Sequence, residues 1–374
     1  MIYLLLIFFI LMGCSDPIEE IRTINVDIDN ELQETVSIFD IFSKVELIEL
    51  DDSHPVSNSV FSGEAFITMD SSYIYILDEY HYNVHVFDQQ GHSVLFANKV
   101  GRGKGEYTMG YQIHYNSDIG MLEILNPMGK ILQYSPITME YKSELNRMGK
   151  GLMAMHEYHQ FGDEYIILSK SIGDRFWLTG SSDDSIKSFG YIVPEEYGNY
   201  ILPTYSFFEL NGKPCAFRSY DGQIYVFDTT DYRMIPIISW NFGKYNCTLS
   251  DIPENKNTRE YNEVILANSK GRVSPFLNIK ACNDVLYVSL IFNGQIYPHT
   301  LYYDLKTGEC SFFERTSEGM RFLPELFVDN VMYKFVDCAH LPEYINRNIL
   351  DSDSQKHYDS ILTENGMGII KYHL

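Results

Sequence analysis

A glycine-rich segment, Gly101 to Tyr107, carries the residues with the most suggestive chemistry. It reads Gly-Arg-Gly-Lys-Gly-Glu-Tyr, and two cations among glycines raise the possibility of phosphate binding. The spacing does not match a P-loop, which needs Gly-x-x-x-x-Gly-Lys-Ser/Thr at the start of a helix. We favour a connection between strands whose glycines adopt backbone angles closed to other residues. The functional alternative is a ligand-binding mouth lined by Arg102, Lys104 and Tyr107, since loops of this kind carry sites.

Other motifs that could support chemistry are incomplete or have the wrong spacing. His156 and His159 are three residues apart in a β-rich region, whereas the zinc motif His-Glu-x-x-His places its histidines four apart on one helical face. The segment from Asp27 to Asn30 lacks the glycine and distal glutamate of an EF-hand loop. No Gly-x-Ser-x-Gly nucleophile elbow is present. We therefore assign no catalytic or metal-ligating residue and expect no cofactor, with calcium or zinc binding left open.

The elements around the glycine-rich segment are short strands. The runs Tyr73–Asp78, Asn83–Asp88 and Ser93–Phe96 are rich in β-branched and aromatic residues, and tight turns separate them. This antiparallel meander recurs six times along the chain in degenerate form. A four-stranded unit has two apolar faces and cannot bury both alone, but radial stacking covers them. The sequence therefore predicts an all-β fold, a six-bladed β-propeller of four-stranded antiparallel blades.

The two ends of the predicted propeller complete one another. We expect the strand Lys44–Leu50 and the strand Gly368–Leu374 to close the ring in a sixth blade. A short helical insertion is predicted before blade five, from Ser250 to Ala267, and partial helix between Leu341 and Leu362. The propeller domain is predicted to span residues 35–374.

The first residues have the features of an export signal. Met1–Leu11 is almost wholly apolar but too short to span a bilayer, as in the core of a secretory signal. Leu11-Met12-Gly13-Cys14 resembles the lipobox of bacterial lipoproteins, in which the cysteine is acylated and becomes the mature first residue. That resemblance implies a signal peptide at residues 1–13, lipid attachment at Cys14 and an acidic tether at residues 14–34.

The composition of the chain bears on its binding partners and on its core. The net charge of −23 argues against nucleic acid, which is bound through Lys and Arg. The 29 tyrosines suit half-buried strands with hydrated hydroxyl ends. The five cysteines beyond Cys14 form no Cys-x-x-Cys pair. We expect them to be small core residues, and an exported compartment would also permit one disulfide.

The lipobox, the Ile-Tyr-Ile-Leu-Asp and Val-Phe-Asp strands and the glycine-rich segment together resemble the six-bladed β-propeller lipoproteins of Bacteroidetes. These are related in form to NHL-repeat and TolB-like propellers. The family loop is commonly Gly-Arg-Gly-Pro-Gly-Glu-Tyr, and Lys104 here replaces the proline. The resemblance implies a cell-envelope lipoprotein, held at the outer membrane by its lipid, and carries no established reaction.

Three functions follow as hypotheses, the third of which is a purely structural envelope protein. The first is a non-catalytic binding module, expected to be a monomer, that presents one face to a glycan, a peptide or an envelope protein. The second is a propeller-type hydrolase or lyase, such as a metal-dependent lactonase, with its site in the central channel.

Overall fold

A computed structural model describes residues 21–32, 34–51, 53–57, 66–147, 154–169, 175–180, 186–191, 207–251, 270–295, 297–323 and 325–374. The chain first forms β1 (Arg22–Asn25), α1 (Ile28–Glu31), α2 (Ile38–Ile41) and β2 (Lys44–Leu50). Blade 1 comprises β3 (Ile67–Met69), β4 (Tyr73–Leu77), β5 (Val84–Asp88) and β6 (Ser93–Ala97). Blade 2 comprises β7 (Gln112–Asn116), β8 (Met121–Asn126), β9 (Lys130–Tyr134) and β10 (Tyr141–Asn146). Blade 3 comprises β11 (Met155–Phe161), β12 (Glu164–Ser169), β13 (Arg175–Gly180) and β14 (Ile186–Tyr191).

The second half repeats this plan. Blade 4 comprises β15 (Phe207–Leu210), β16 (Lys213–Phe217), β17 (Ile224–Asp228) and β18 (Arg233–Asn241). Blade 5 comprises β19 (Val273–Cys282), β20 (Val285–Phe292), β21 (His299–Asp304) and β22 (Cys310–Phe313). Blade 6 contains β23 (Leu326–Val328), β24 (Val331–Asp337), then α3 (Leu341–Tyr344) and α4 (Ser352–Glu364), and finally β25 (Met367–His373). The predicted six-bladed β-propeller is confirmed.

Each blade is an antiparallel meander whose first strand is innermost. Consecutive strands are hydrogen-bonded neighbours within every sheet. The first strands of adjacent blades contact one another, for example β3 with β7, β15 with β19 and β23 with β3. Six such sheets in a circle leave a channel along the axis, lined by the first strand of each blade.

The ring closes through strands from opposite ends of the chain, as predicted. β2 pairs antiparallel with β25 from Lys44 opposite His373 to Leu50 opposite Met367, and β25 pairs with β24. Blade 6 therefore has the strand order β2-β25-β24-β23. Helix α4 covers this blade, and its buried Tyr358 and Ile361 join the same apolar cluster as Leu47.

Aspartates at the ends of the third strands explain the recurring Phe-Asp and Tyr-Asp pairs of the sequence. The Asp88 carboxylate accepts the backbone N–H groups of Gln90 and His92 at 2.9 Å each. Asp228 and Asp304 hold the equivalent turns of blades 4 and 5 in the same way. A short acceptor that stabilises the turn after the third strand thus recurs in blades 1, 4 and 5.

The acidic tether prediction is wrong for the part of residues 14–34 that the structure describes. β1 adds a fifth strand to blade 4 by pairing parallel with β18, with Ile24 opposite Trp240. Ile24, Val26 and Ile28 are buried in the cluster between blades 4 and 5. The physical reason is an alternation of apolar residues, which the flanking charges mask in the sequence. Residues 1–20, including Cys14, lie outside the described residues.

Three further predictions concern helices and cysteines. Leu341–Leu362 is partly helical, as expected, through α3 and α4. Of the predicted insertion before blade five, only a 3₁₀ turn at Leu249–Asp251 is described, and residues 252–269 lie outside the described part. Cys215 is buried and the other four cysteines of the described residues are half-buried, and all five are free thiols.

Among the helices of the described chain, none combines the length and apolar character needed to cross a membrane.

Candidate functional site

A cavity of about 530 Å³ occupies the central channel and takes lining residues from all six blades. We call it the channel cavity. It is lined by the first strands and by the turns that follow them, at Ser117, Asp118, Gly162 and Gly212. These turns place its mouth at the end of the ring where the first strands finish. The volume lies within the range of small-molecule sites.

An exposed carboxylate of the cavity is paired with an imidazole. His159 on β11 and Glu209 on β15 belong to neighbouring blades, and Nε2 of His159 lies 3.3 Å from Oε1 of Glu209. The Glu209 side chain is 59% exposed and that of His159 is 21% exposed. The His159 ring holds the pKa of Glu209 below its ordinary value. The carboxylate is therefore ionised at neutral pH and accessible from the channel.

A second histidine also lines the channel cavity. His114 on β7 is half-buried, with its ring edge-on to Tyr158 at 6.1 Å between centroids. Burial lowers the pKa of His114, so its imidazole is neutral at pH 7.

Two buried charged side chains hold the first strand of blade 4 in place. The Glu157 carboxylate accepts the backbone N–H of Phe207 at 3.2 Å. The Lys280 ammonium donates to the carbonyl of the same residue at 3.0 Å. Glu157 belongs to blade 3 and Lys280 to blade 5, so the two contacts fix β15 between its neighbours. Both side chains line the channel cavity and are almost fully buried.

Behind the cavity wall, a buried carboxylate connects blades 2 and 3. Glu123 is fully buried and accepts hydrogen bonds from four side chains at 2.8–3.1 Å, those of Asn116, Gln133, Tyr158 and Tyr165. Asn116 lines the channel cavity and is only 1% exposed. Its Nδ2 donates to Glu123 at 3.1 Å, while its Oδ1 has no hydrogen-bond partner among the described atoms. Asn116 therefore carries a buried amide oxygen whose hydrogen-bonding capacity is unused among the described atoms.

The predicted ligand residues of the glycine-rich segment lie elsewhere. The segment joins β6 to the start of β7, whereas Ser117 and Asp118 follow the end of β7, so the two sites are at opposite ends of the strand. None of its residues lines the channel cavity. Arg102 and Lys104 are exposed, with the Lys104 ammonium 5.8 Å from the Tyr141 ring centroid.

Tyr107 has a structural position instead. It is fully buried and donates its hydroxyl to the carbonyl of Tyr82 at 2.7 Å. Gly105 has φ +70°, and a Cβ there would lie 2.5 Å from the Tyr141 ring. The segment therefore packs blade 1 against blade 2, as the preferred interpretation expects. A ligand role for Arg102 and Lys104 stays a prediction, while Tyr107 presents no surface to a ligand.

Sequence reasoning did not place His114, His159, Glu209 or Asn116 in a ligand site, and it considered His159 only as part of a zinc motif. The signal that could have found them is a polar side chain within the first strand of successive units, where an all-core strand would be apolar. His156–His159 lies on β11, so the two histidines do not share a helical face. Within the described ranges, no three His, Cys, Asp or Glu side chains are grouped so that they could hold one metal ion.

Comparison with known proteins agrees with the six-bladed fold. The family model DUF5128, described as a 6-bladed beta-propeller, matches residues 18–322. A protein from Bacteroides fragilis described as exported has a similar structure, with a TM-score of 0.67, 17% identity and coverage of 94% of this chain and 100% of that chain. A DUF4221 family member from Bacteroides vulgatus has a TM-score of 0.56 and 10% identity, covering 88% and 98% of the two chains. No curated protein matches. The chain belongs to the DUF5128 family of six-bladed β-propellers.

Proposed function

We propose that this protein is an exported, lipid-anchored β-propeller that binds a ligand in its channel cavity without transforming it. The observation that carries the proposal is the cavity itself, which is lined by all six blades and has an accessible carboxylate in its wall. A buried amide oxygen of the same wall has no partner among the described atoms. Concave sites with a few convergent polar groups are the usual form of a binding site. A glycan, a peptide and a segment of an envelope protein are the ligand classes.

Anchoring at the outer membrane of the cell envelope is part of the proposal. It is supported by the lipobox-like Leu11–Cys14 and by the similarity in fold to a protein described as exported. Eight peptide links separate Cys14 from Arg22, the first residue of β1, and they reach roughly 28 Å at most. An acylated Cys14 would therefore keep blade 4 close to the membrane. Relation to NHL and TolB-like propellers and a monomeric state belong to the same proposal.

A photo-crosslinking experiment tests the binding site while the ligand is still unidentified. A benzophenone amino acid is placed at exposed Ser117, which lines the mouth, or at exposed Thr108, which follows the glycine-rich segment. Irradiation of intact cells should give a defined adduct at Ser117, identified by mass spectrometry, and none at Thr108. Equal labelling at both positions, or labelling only at Thr108, would contradict a site in the channel cavity.

Catalysis is the second candidate, because an imidazole beside a carboxylate is an arrangement used in general acid–base chemistry. The His159–Glu209 pair at 3.3 Å could serve a hydrolase or lyase site in the channel. The ligand recovered from the Ser117 adduct separates the two functions. Conversion by the wild-type protein but not by His159→Gln would establish catalysis, whereas recovery of unchanged ligand from both supports binding alone.

A further inference from the structure

From the charges and acceptors of the channel cavity we infer that its ligand is an organic cation, carrying an ammonium or guanidinium group. A free polyamine and a basic side chain of a peptide share this chemistry. The inference rests on the proposed function, because it takes the channel cavity as the ligand site and specifies what is selected there.

The first step is the charge of the cavity wall. Its charged side chains are three carboxylates, those of Asp118, Glu157 and Glu209, and one ammonium, that of Lys280. Lys280 is 4% exposed and donates to the Phe207 carbonyl at 3.0 Å. The carboxylates of Asp118 and Glu209 are the exposed members of the set. Within the described lining, the exposed carboxylates that a ligand meets at the mouth are therefore those of Asp118 and Glu209, with the His159 imidazole beside Glu209.

The second step is the hydrogen-bonding character of the wall. The Asn116 Oδ1 is buried and without a partner among the described atoms, and an unpaired buried acceptor is costly. The pKa of Glu209 is lowered by the His159 ring, so its carboxylate remains an acceptor at neutral pH. A ligand rich in N–H donors matches the accessible Glu209 acceptor, since ammonium and guanidinium carry donors only.

The third step is the apolar part of the wall. Tyr115, Phe161 and Phe327 line the cavity, and Phe161 is 37% exposed. Aromatic faces attract organic cations through their quadrupole and also accept the alkyl stem of a lysine or polyamine. The net charge of −23 adds a long-range field that raises the encounter rate with cations.

Calorimetry on the full-length protein in zwitterionic detergent tests the inference. The probes are spermidine, a trilysine peptide and the neutral trisaccharide maltotriose. We expect both cations to bind more tightly than maltotriose, and binding to weaken as salt is raised. Glu209→Gln should weaken cation binding roughly five- to tenfold, as loss of one charged hydrogen bond predicts. A preference for spermidine or trilysine then distinguishes a free polyamine from a peptide.

The matched control is Glu140→Gln. Glu140 is 69% exposed and pairs with Lys142 at 2.7 Å on the outside of blade 2, so its removal changes the net charge equally. An equal loss of affinity in both variants would mean attraction to the acidic surface and would overturn the inference.

If Glu209→Gln lowers the melting temperature, Asp118→Asn replaces it and should give the same loss of cation binding. An unchanged affinity in the Asp118→Asn variant also overturns the inference. Tighter binding of maltotriose, with an adduct still formed at Ser117, overturns the cationic ligand but leaves the channel site; absence of that adduct refutes the proposed function itself.

Discussion

Glu123 offers the sharpest test of how the propeller is held together. It is fully buried, and its two oxygens accept four hydrogen bonds. Glu123→Leu keeps a side chain of similar size but removes every acceptor, so that four donors lose their partner. Each orphaned donor costs about 1–3 kcal/mol, so even the lower bound for four donors predicts a loss of about 4 kcal/mol in the free energy of unfolding.

Equilibrium denaturation followed by circular dichroism measures this loss. Glu140→Leu, at an exposed site in the same blade, is the control and should change the free energy by less than about 0.5 kcal/mol. A loss below about 1 kcal/mol for Glu123→Leu would refute the view that the buried network holds blades 2 and 3 together.

A double-mutant cycle sharpens the test. Tyr158 donates its hydroxyl to Glu123 Oε2 at 2.9 Å, so Tyr158→Phe alone should be destabilising. In the Glu123→Leu background the same change removes a hydroxyl that has already lost its acceptor, and we expect it to be neutral or stabilising. Additive losses would show that the two side chains act independently. Because Asn116 and Tyr158 also line the channel cavity, the cycle reports on the support of the site.

Three further predictions concern acid stability, ring closure and anchoring. Burial lowers the pKa of His85 and of His299 to about 4, relative to an ordinary value of about 6.5. The folded state therefore favours the neutral imidazoles, and the pH-dependent part of the folding free energy is about 3 kcal/mol for each histidine. This stability is fully present above pH 6.5 and is lost as the pH falls through 4. Melting temperatures between about pH 7 and pH 4 should fall less steeply for His299→Phe, and an unchanged slope would contradict this. Deletion of residues 368–374 removes most of β25 and should lower the melting temperature of the whole ring, whereas an unchanged value would refute closure through blade 6. Cys14→Ala should move the protein from the membrane to the soluble fraction, and continued membrane attachment would refute lipid anchoring.

The periodic parts of the fold were predictable from the sequence, because each blade repeats the same local signals. Strand runs such as Tyr73–Asp78 and their aspartate turns are set by neighbouring residues. Closure through Lys44–Leu50 was also predictable, since a ring leaves one partner for an unpaired terminal strand. β1 was not predicted because it contributes few apolar residues, such as Ile24, and the neighbouring Val26 adds only one more. The charged residues that flank them are typical of a solvent-exposed tether.

The site was not predictable in the same way. His159 and Glu209 belong to different blades and are 50 residues apart in sequence, so only the ring brings their side chains to 3.3 Å. Each residue alone is an ordinary polar residue on a strand. The glycine-rich segment attracted attention because its charges are adjacent in sequence. Its buried Tyr107 shows that a conspicuous motif can serve packing between blades.

The pairing of β2 with β25 constrains when the molecule can form. Leu50 is opposite Met367, so a strand made early in synthesis waits for a partner that is made after all the other blades. Until then blade 6 lacks the strand that joins β2 to β24, and the growing chain remains an open arc of blades. Contacts so distant in sequence form slowly. The ring can therefore become a closed circle only after β25, the last strand to be synthesised, has joined β2 and β24.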